Sequence, residues 1–592
     1  MRKCILLALV ALLSGFQMMN AVPARPGKVT VTQPDGTRIV LQRHGDEWGH
    51  WMTDALGRMV RQDENGFYRV VSDAEAATVL QQASTRRNAR RNAQEPMRGK
   101  ARKSVRGQRH FLVILVEFSD LSFKEDDPNQ AFTDLMNEPG YSVSGGTGSA
   151  RDYYYDNSHG DFEPVFDVYG PVKLKNKYSY YGKNDGWGND TCPEDAVIEG
   201  CQGLDDQIDF SRYDSDGDGV VDLVFMYYAG KGEADGGGTN CIWPHQWELS
   251  SGGINLTLDG KKIDKYACTN EIVSSGALKN KMCGIGTACH EFGHAMGLPD
   301  FYDTDYDEYN GEAGGLYDFS TMCGGSYNNG GRTPPYFNME ERILLGWVNP
   351  NAILEFGVSG SYTLTGVNNN VAYKTLTDQA GEYFLYECRS KTGWDAYIPE
   401  AGLIVYHVDK SDRYVTIMGS SNNISVKASA LWSNWSQYNS INENGSHPCF
   451  YVVPSGDHSS LNYEGSAWAF TGASGRSSFT GTSWNGVSCD VSLSDISYAS
   501  NQVTFYATVP STVLNYNVIA NPGNGVYSAG SNFALELQES AAQPVSSVAW
   551  YFDDEPFSGT SVTLTAGTHV VEAHLTLTSG ETKILELTLE AQ

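Results

Sequence analysis

The chain has 592 residues, of which 40% are hydrophobic and 12% aromatic, so it is long enough for several folded domains and does not have a disordered composition. Its formal net charge of −29 disfavours partners such as nucleic acid or an anionic membrane surface, because like charges repel. The 63 glycines and 34 tyrosines favour a body rich in strands and loops over a helical bundle.

The first 21 residues have the pattern of an export signal. Two basic residues precede a mainly apolar run over 5–16, which is too short to span a bilayer, and small residues follow at Ala21 and Ala24. No later segment approaches the roughly 20 apolar residues of a membrane span. The sequence therefore predicts a signal peptide over 1–21 and a secreted protein without a transmembrane segment. An even number of cysteines follows the signal, which permits disulfides in an exported chain.

Residues 22–109 combine a small β-rich unit with a basic tract. Segments 28–33 and 37–42 flank Pro-Asp-Gly at 34–36, a hairpin turn signal. Between Arg86 and Arg109 the sequence has ten lysines or arginines and one acid, which predicts a solvated, disordered linker. Dibasic pairs in this tract are open to a trypsin-like protease. We therefore expect a propeptide over 22–109 with a basic, cleavable linker.

The region from 110 to 350 mixes strand and helix patterns. The apolar run 111–116 predicts a buried first strand, and 223–228 predicts another. Helices are expected over 283–296, the strongest helical pattern of the chain, and over 339–345. His245 lies between two tryptophans and is expected to be a packed histidine of an aromatic strand, with a place in a substrate cleft as the alternative.

The C-terminal half changes to short strands separated by turns. This pattern predicts a β-sandwich or a related sheet domain over 351–510. In 511–592 apolar and polar residues alternate, most clearly over 571–577. The last segment is therefore expected to be a small immunoglobulin-like β domain.

A metal-binding pattern lies in the helix predicted over 283–296. His290 and His294 are four residues apart, so on a helix they share one face and can direct both imidazoles at one ion. Zinc accepts such ligands at about 2.0–2.1 Å. Glu291 lies about 100° further round the helix, beside the metal, where it can act as the general base on a bound water.

A catalytic zinc requires a third protein ligand. Gly297 is expected to end the helix, and the turn through Pro299 can bring Asp300 to the same ion. Asp303 and Asp305 are further carboxylates that could take its place.

A second ion is predicted in an aspartate-rich loop. Carboxylates stand at positions 1, 3, 5 and 9 of a calcium-loop pattern and glycine stands at position 6: Asp214, Asp216, Asp218, Asp222 and Gly219. Position 12 is Phe225, so the bidentate acid of the full pattern is missing there. The alternative is an acidic turn without an ion.

These motifs occur in an order that resembles the immune inhibitor A-type metalloendopeptidases, a branch of the metzincin-like zinc proteases. The resemblance covers about 110–510 and rests on these blocks: 148–154 with 157–160, 214–222, 242–247, 289–303, 319–322, 333–347 and 382–387 with Trp394-Asp395 and His407.

This resemblance implies an α+β fold with a mixed-sheet, zincin- or metzincin-like catalytic domain over 110–350. It also implies an N-terminal propeptide and C-terminal β-sandwich domains. Asp300 would be the third zinc ligand, and Met322 would lie in the tight turn beneath the metal. The propeptide would be inhibitory, and Asp46, Glu47 or His50 could cap the zinc.

We therefore expect a secreted, monomeric, zinc-dependent endopeptidase that cleaves extracellular proteins or peptides. Zinc and calcium are the expected cofactors, and a trypsin-like protease is the expected activator. Two other functions stay open: an extracellular adhesin or binding module with a structural metal, and a narrow-specificity peptidase for glycoproteins. Glu291 argues against the adhesin, because a purely structural metal site needs no base.

Overall fold

The structure is a computed structural model that describes residues 19–20, 24, 28–46, 49–63, 65–93, 105–185, 189–215, 217–234, 236–274, 278–305, 313–417, 423–456, 467–473, 475–510, 516–521, 526–527, 529–530, 532–539, 544–557 and 561–591. Within these residues the chain forms a mixed α+β body with several sheets, as the sequence predicts. The signal peptide predicted over 1–21 lies outside the described residues except for 19–20.

The N-terminal region is a small sheet followed by a helix. Its elements are β1 Met19–Asn20, β2 Lys28–Thr32, β3 Arg38–Asp46, β4 Gly49–Asp54, β5 Met59–Gln62, β6 Tyr68–Val70 and α1 Asp73–Ala93. Strands β2 to β6 form one sheet in chain order. The predicted hairpin is confirmed, since Lys28 pairs with Gln42 and Thr32 with Arg38 across the turn.

The basic tract differs from its prediction as a disordered linker. Helix α1 continues to Ala93 and so includes its first arginines, 86–91. Alanine, glutamine and arginine are strong helix formers, and Asp73 and Glu75 in the first turn favour the helix dipole. Charge density alone therefore did not decide the local structure. Residues 94–104, where a cleavable linker stays a prediction, lie outside the described residues.

The next region contains a central sheet and its helices. The strands are β7 Gly107–Glu117, β8 Phe162–Lys173, β9 Val224–Lys231, β10 His245–Glu248, β11 Leu256–Leu258, β12 Lys261–Ile263 and β13 Lys265–Ile272. The helices are α2 Pro128–Asn137, α3 Ala150–Asn157, α4 Tyr178–Gly182, α5 Pro193–Leu204, α6 Gly286–Met296 and α7 Met339–Leu344. Short 3-10 turns occupy Val143–Gly145, Phe210–Tyr213, Leu249–Gly252, Tyr317–Phe319 and Gly324–Gly331.

The central sheet has the order β1-β10-β13-β9-β7-β8. Strands β13, β9, β7 and β8 are parallel to each other. Strand β10 pairs antiparallel with β13, and the edge strand β1 pairs antiparallel with β10. Strand β7 contains the apolar run predicted as the first strand, and its residues 112–116 are fully buried. Alternate residues of this run enter two different cores, one on each face of the sheet, which explains why the run is continuously apolar.

Helix α6 packs on one face of this sheet through an aromatic cluster. The ring of Phe292 lies 4.9 Å from Phe225, 5.0 Å from Phe166 and 5.4 Å from Phe111, measured between centroids. Burying such a ring contributes roughly 1.5–3 kcal/mol. The cluster fixes α6 on strands β7, β8 and β9. The positions of His290 and His294 in the helix are therefore set by this contact with the sheet.

The following region is built from strands. They are β14 Ile353–Glu355, β15 Gly360–Leu364, β16 Ala372–Leu376, β17 Glu382–Arg389, β18 Gly402–Asp409, β19 Tyr414–Ile417, β20 Ile424–Lys427, β21 Phe450–Val453, β22 Phe479–Thr482, β23 Ser488–Ala499 and β24 Gln502–Thr508. Helices α8 Ala428–Ser433 and α9 Trp435–Tyr438 and the 3-10 turns Pro350–Ala352, Val367–Asn369 and Gly393–Tyr397 interrupt them.

Two sheets of this region share a core. The sheet β14-β16-β17-β18-β21 packs on the sheet β15-β24-β23-β22 through residues of both, such as Phe384, Val405 and Phe505. The opposite face of the first sheet contributes Leu385, Ile404 and others to the core that also contains Phe292. The sheet is therefore covered on both faces, and one continuous core joins it to the body that carries α6.

The C-terminal region forms two further sheets with their own core. Its strands are β25 Asn517–Asn521, β26 Val526–Tyr527, β27 Asn532–Gln538, β28 Val545–Phe552, β29 Glu555–Phe557, β30 Ser561–Thr563, β31 Gly567–Leu577 and β32 Thr582–Ala591. The alternation predicted over 571–577 is confirmed, since the odd-numbered residues are buried. Among the described residues, no helix has the length and apolarity needed to cross a bilayer.

Candidate metal centre

Helix α6 presents His290 and His294 on one face and ends where the sequence predicts. Gly297 has φ 111°, a left-handed conformation that favours glycine, and its amide donates to the carbonyls of Gly293 and His294. Gly293 is required for a different reason: a Cβ built there would lie 2.5 Å from Sδ of Met322. The helix thus approaches the turn that contains Met322 as closely as backbone permits.

Backbone carbonyls fix the orientation of both imidazoles. His290 Nδ1 donates to the carbonyl of Thr321 at 2.8 Å, and His294 Nδ1 donates to the carbonyl of Leu298 at 2.8 Å. Because Nδ1 carries the proton in each ring, Nε2 is left as the basic nitrogen. Burial lowers the pKa of His290, although Asp300 acts in the opposite direction, so the ring favours its neutral, metal-binding form.

The two Nε2 atoms and one carboxylate oxygen form a nearly equilateral triangle. The nitrogens are 3.0 Å apart, and Asp300 Oδ1 lies 3.2 Å from His290 Nε2 and 3.3 Å from His294 Nε2. Ligands at about 2.05 Å from a tetrahedral ion lie about 3.3 Å from each other. All three side chains are buried. The geometry and the donor types therefore fit zinc with one position left open.

Asp300, rather than the neighbouring acids, completes this triangle. Burial would raise its pKa, but His294 and His290 outweigh that effect and hold the pKa well below its ordinary value. Asp303 instead accepts the amides of Ala313 and Asp305 at 2.8 and 3.0 Å, within its own loop. Burial and the neighbouring Asp305 raise the pKa of Asp303, as expected for a carboxylate without a nearby cation.

Asn439 lies in the region of strands β14 to β24, called the sheet-rich region below. Its side chain bonds both the backbone and the side chain of Asp300. The Asn439 amide donates to Asp300 Oδ2 at 2.6 Å, and its carbonyl oxygen accepts the Asp300 backbone N–H at 3.0 Å. Trp435 stacks on His294 with centroids 6.3 Å apart. The sequence did not predict the role of Asn439, because no local pattern links it to Asp300, about 140 residues earlier.

The turn beneath the histidines is fixed from two sides. Ser320 Oγ donates to Glu341 at 2.5 Å and accepts the amide of Met322 at 3.0 Å. Arg389, which forms a bidentate pair with Asp395, also donates to the carbonyl of Phe319. Met322 is fully buried, and its sulfur lies against Gly293 of α6.

Comparison with known proteins assigns this part of the chain. Residues 97–341 match the model of the immune inhibitor A peptidase M6 catalytic domain. This segment, called the M6 domain below, is similar to the catalytic domain of that peptidase family. The M6 domain contains the triangle of His290, His294 and Asp300 and the acid Glu291 that follows the first histidine.

Two curated proteins are similar to part of this chain. Immune inhibitor A of Bacillus thuringiensis is 26% identical over 268 residues, which are 39% of this chain and 38% of that protein. The pre-pro-metalloprotease PrtV of Vibrio cholerae is 27% identical over 283 residues, which are 40% of this chain and 30% of that protein. The matches thus span only 38% and 30% of the lengths of these two relatives. Among solved structures, OgpA of Akkermansia muciniphila aligns over 83% of this chain and 96% of its own, with 11% identity and a TM-score of 0.22, which is too low to establish a shared fold.

The predicted calcium loop of the M6 domain has three described aspartates. Asp214 Oδ2 accepts a hydrogen bond from Lys261 Nζ at 2.6 Å, and this contact lowers the pKa of Asp214. Asp218 accepts the amide of Val220. The side chain of Asp222 lies 3.4 Å from the amide of Ser215, whereas Asp216 lies outside the described residues. Calcium binding stays a prediction. The ammonium of Lys261 bonds Asp214, one of the predicted calcium ligands, so a calcium ion would have to compete with it.

The N-terminal sheet contacts the M6 domain through His50. His50 Nε2 lies 3.2 Å from Glu233 Oε1, and its ring stacks on Trp243 with centroids 4.1 Å apart. The idea that His50 caps the zinc is therefore wrong for this structure, since its side chain contacts Glu233 and Trp243 and is not part of the group formed by His290, His294 and Asp300. The side chain of Asp46 and all of Glu47 lie outside the described residues.

Other polar candidates have structural surroundings. His245 is buried, donates through Nδ1 to the carbonyl of Trp243 and accepts the hydroxyl of Tyr266, so the expectation of a packed histidine is confirmed. Seven of the ten cysteines after the signal are free thiols in this structure: Cys201, Cys268, Cys289, Cys323, Cys388, Cys449 and Cys489. These seven do not form the disulfides that the even number permitted.

Proposed function

We propose that this chain is a zinc-dependent endopeptidase in which His290, His294 and Asp300 bind the metal and Glu291 is the general base. One observation carries the proposal: three ligand atoms 3.0–3.3 Å apart converge beside a buried glutamate within a segment that matches the M6 family model. The match supports peptide hydrolysis, and the triangle supports a metal with an open position.

When bound, zinc polarises the carbonyl of the substrate and makes the attacking water more acidic. The residues of the chain do the rest. The carbonyls of Thr321 and Leu298 keep the two imidazoles in one tautomer, and Asn439 keeps the carboxylate of Asp300 in place. Glu291 accepts the proton of the attacking water and returns it to the leaving amine.

The proposal includes secretion, protein or peptide substrates outside the cell, a monomeric state and activation by removal of residues 22–109. The N-terminal signal pattern and the acidic composition support an extracellular enzyme. Docking of the N-terminal sheet on Glu233 and Trp243 supports a propeptide that folds against the M6 domain. The metzincin-like assignment is supported by the buried Met322 below the two histidines.

The decisive experiment replaces Glu291 with alanine. Because general acid–base catalysis typically contributes 10²–10⁴-fold, we expect casein cleavage by the processed variant to fall at least about 100-fold. The zinc content should stay that of the wild type, since Glu291 is not a ligand. The surface variant Glu163→Gln is a control that should cleave normally.

Full activity of Glu291→Ala would overturn the mechanism. Wild-type protein that binds zinc but cleaves neither casein nor small peptides would instead favour an adhesin with a structural metal. A chelator should abolish cleavage by the wild type, and added zinc should restore it.

A further inference from the structure

A second group of metal-ligating side chains lies in the sheet-rich region. It consists of Asp409, His447 and Cys449, whose ligand atoms all lie within 4.8 Å of each other. Asp409 Oδ2 is 2.8 Å from His447 Nε2. Asp409 and Cys449 are fully buried, and the side chain of His447 is 16% exposed. Among the described residues, the other such group is the triangle of the M6 domain.

Strand pairing explains why these three residues converge. Strands β18 and β21 are antiparallel, with Val408 opposite Phe450, and the amide of Asp409 donates to the carbonyl of Cys449 at 2.8 Å. Asp409 and Cys449 are therefore opposite each other, and opposite residues point to the same face. His447 lies in the turn before β21, where its amide donates to the carbonyl of Asn444, and its Nε2 lies 2.8 Å from Asp409 Oδ2.

The donor set matches zinc and excludes the hard cations. Magnesium and calcium prefer oxygen ligands throughout, whereas zinc binds carboxylate, imidazole and thiolate. One carboxylate and one thiolate also balance the two charges of the ion, which a buried site requires. Cys449 is a free thiol, so no disulfide competes for its sulfur.

The surroundings of the group orient its members. Asp409 Oδ1 accepts the amide of Ser411 at 2.8 Å, which leaves Oδ2 directed at His447. Trp484 stacks on the His447 ring with centroids 4.1 Å apart and restricts its rotation. Burial, with the charges of Asp409 and Glu382, raises the pKa of the Cys449 thiol well above its usual range.

We propose that Asp409, His447 and Cys449 bind a second, structural zinc ion. The partly exposed edge of His447 gives the ion access and leaves a position for water. The ion would fasten the end of β18 to the segment that enters β21. That segment begins near Asn439, which holds Asp300, and Asn442 in it bonds the carbonyls of Phe301 and Phe450. The second ion would thereby stabilise the part of the chain that supports the first.

Zinc content of the full-length chain tests this proposal. We expect two zinc ions per wild-type chain after dialysis, one in Cys449→Ser, one in His447→Gln and one in His290→Ala. Combining His290→Ala with Cys449→Ser should remove both. Cys489→Ser replaces another buried cysteine of the same region and should keep two ions. The proposal would be overturned if the wild-type chain held a single zinc ion and His290→Ala held none.

Cobalt substitution gives a readout that does not depend on the first centre. A cobalt–thiolate bond produces a charge-transfer band in the near ultraviolet, and the triangle of the M6 domain contains no sulfur. We expect this band in wild type and in His290→Ala, and we expect Cys449→Ser to lack it. If Cys449→Ser does not fold, the wild-type spectrum alone decides: absence of the band there contradicts the second site. A thiolate-bound ion that His290→Ala retains and Cys449→Ser lacks supports the second site, even if the protein shows no peptide hydrolysis.

Discussion

At the scale of single residues, the amide of Asn439 is the contact that joins two distant parts of the chain at the metal. It bonds Asp300 at both the carboxylate and the backbone. Removal of partners that orient a ligand typically costs 10–100-fold in metal affinity. We expect Asn439→Gly to weaken zinc binding by about that factor, with activity largely restored at high zinc concentration. A competition titration with a chelating dye measures the change.

Glycine is the suitable replacement because Asn439 has φ 43°, a left-handed conformation that alanine disfavours. Asn370 provides a matched control. It is buried, has φ 54°, and its side-chain oxygen accepts from Arg342 rather than contacting the triangle. Asn370→Gly should lower stability without changing zinc affinity. Equal zinc affinities of the Asn439 variant and wild type would show that Asp300 needs no such support.

His245 makes a prediction about the pH dependence of stability. Burial lowers its pKa to about 4, from 6.5 in the unfolded chain. Between these pH values the unfolded state binds more protons, so acidification favours unfolding. This residue should therefore cost up to about 3 kcal/mol of unfolding free energy as the pH falls from 6.5 to 4.

The variant His245→Gln tests that contribution, since glutamine can donate to Trp243 and accept from Tyr266 without titrating. Denaturant unfolding at several pH values should show a shallower loss for the variant than for wild type. Burial lowers the pKa of His159 to about 4 as well, so part of the acid dependence should persist in both proteins. Parallel curves for the two proteins would contradict the role of His245.

Residue spacing predicted only part of the metal centre. The four-residue interval of His290 and His294 identified the metal face, and Gly297 with Pro299 allowed for Asp300. The sequence left Asp303 and Asp305 as alternatives, because a turn of unknown course follows the helix. Asn439, Cys449 and their partners escaped prediction, because contacts between strands far apart in sequence carry no local periodicity.

At the scale of elements, the loop between the 3-10 turn Phe210–Tyr213 and strand β9 should respond to Lys261. Its ammonium bonds Asp214, the first residue of the calcium-loop pattern. A bound calcium ion would have to displace this charge. We expect Lys261→Gln to bind calcium more tightly than wild type and to gain a larger increase in Tm when calcium is added. Calorimetric titration and thermal melting measure both effects.

The neighbouring Lys262 provides a control, since its ammonium lies 2.5 Å from Asp264 instead. Lys262→Gln should leave calcium affinity unchanged. A ligand that binds the folded state stabilises it more as the free ligand concentration rises above Kd. If the loop binds calcium, the Tm should therefore rise with the calcium concentration. If calcium changes the Tm of neither wild type nor Lys261→Gln, the loop is an acidic turn.

Helix α1 shows where element prediction from charge failed. The run of arginines after 85 indicated a solvated linker, yet the same residues have high helix propensity and follow an acidic first turn. Strands β7 and β31 were predicted correctly. Strand β7 is buried on both faces and has a continuous apolar run, whereas β31 is buried on one face and alternates between apolar and polar residues. Periodicity thus predicted the elements that lie in a core, whereas charge did not separate a helix from a linker.

At the scale of the whole molecule, the core does not end at the predicted boundary of residue 350. One continuous cluster contains Phe292 of α6 and Phe450 of β21, and Asn439 reaches Asp300, the proposed third zinc ligand. The boundary at 350 was inferred from a change to short strands, which marks a change of secondary structure. The segment after 511 has a separate core, and Asn517 donates to the carbonyl of Glu355 at its junction.

Truncation should therefore have opposite effects at the two predicted boundaries. A chain ending at 510 keeps the shared core, so we expect it to fold, bind zinc and cleave small peptides as the full chain does. Its cleavage of large proteins should be weaker if the last segment helps to hold substrates. Equal losses on small and large substrates would contradict that role.

A chain ending at 350 loses Asn439 and exposes the apolar face that the first sheet of the sheet-rich region covers. We expect it to be insoluble or to unfold at a much lower temperature, because a core residue stripped of its partners loses both burial and packing. Expression level, thermal melting and zinc content distinguish the two truncations. Soluble, zinc-bound and active protein ending at 350 would show that the M6 domain folds alone and that the shared core is an interface between independent units.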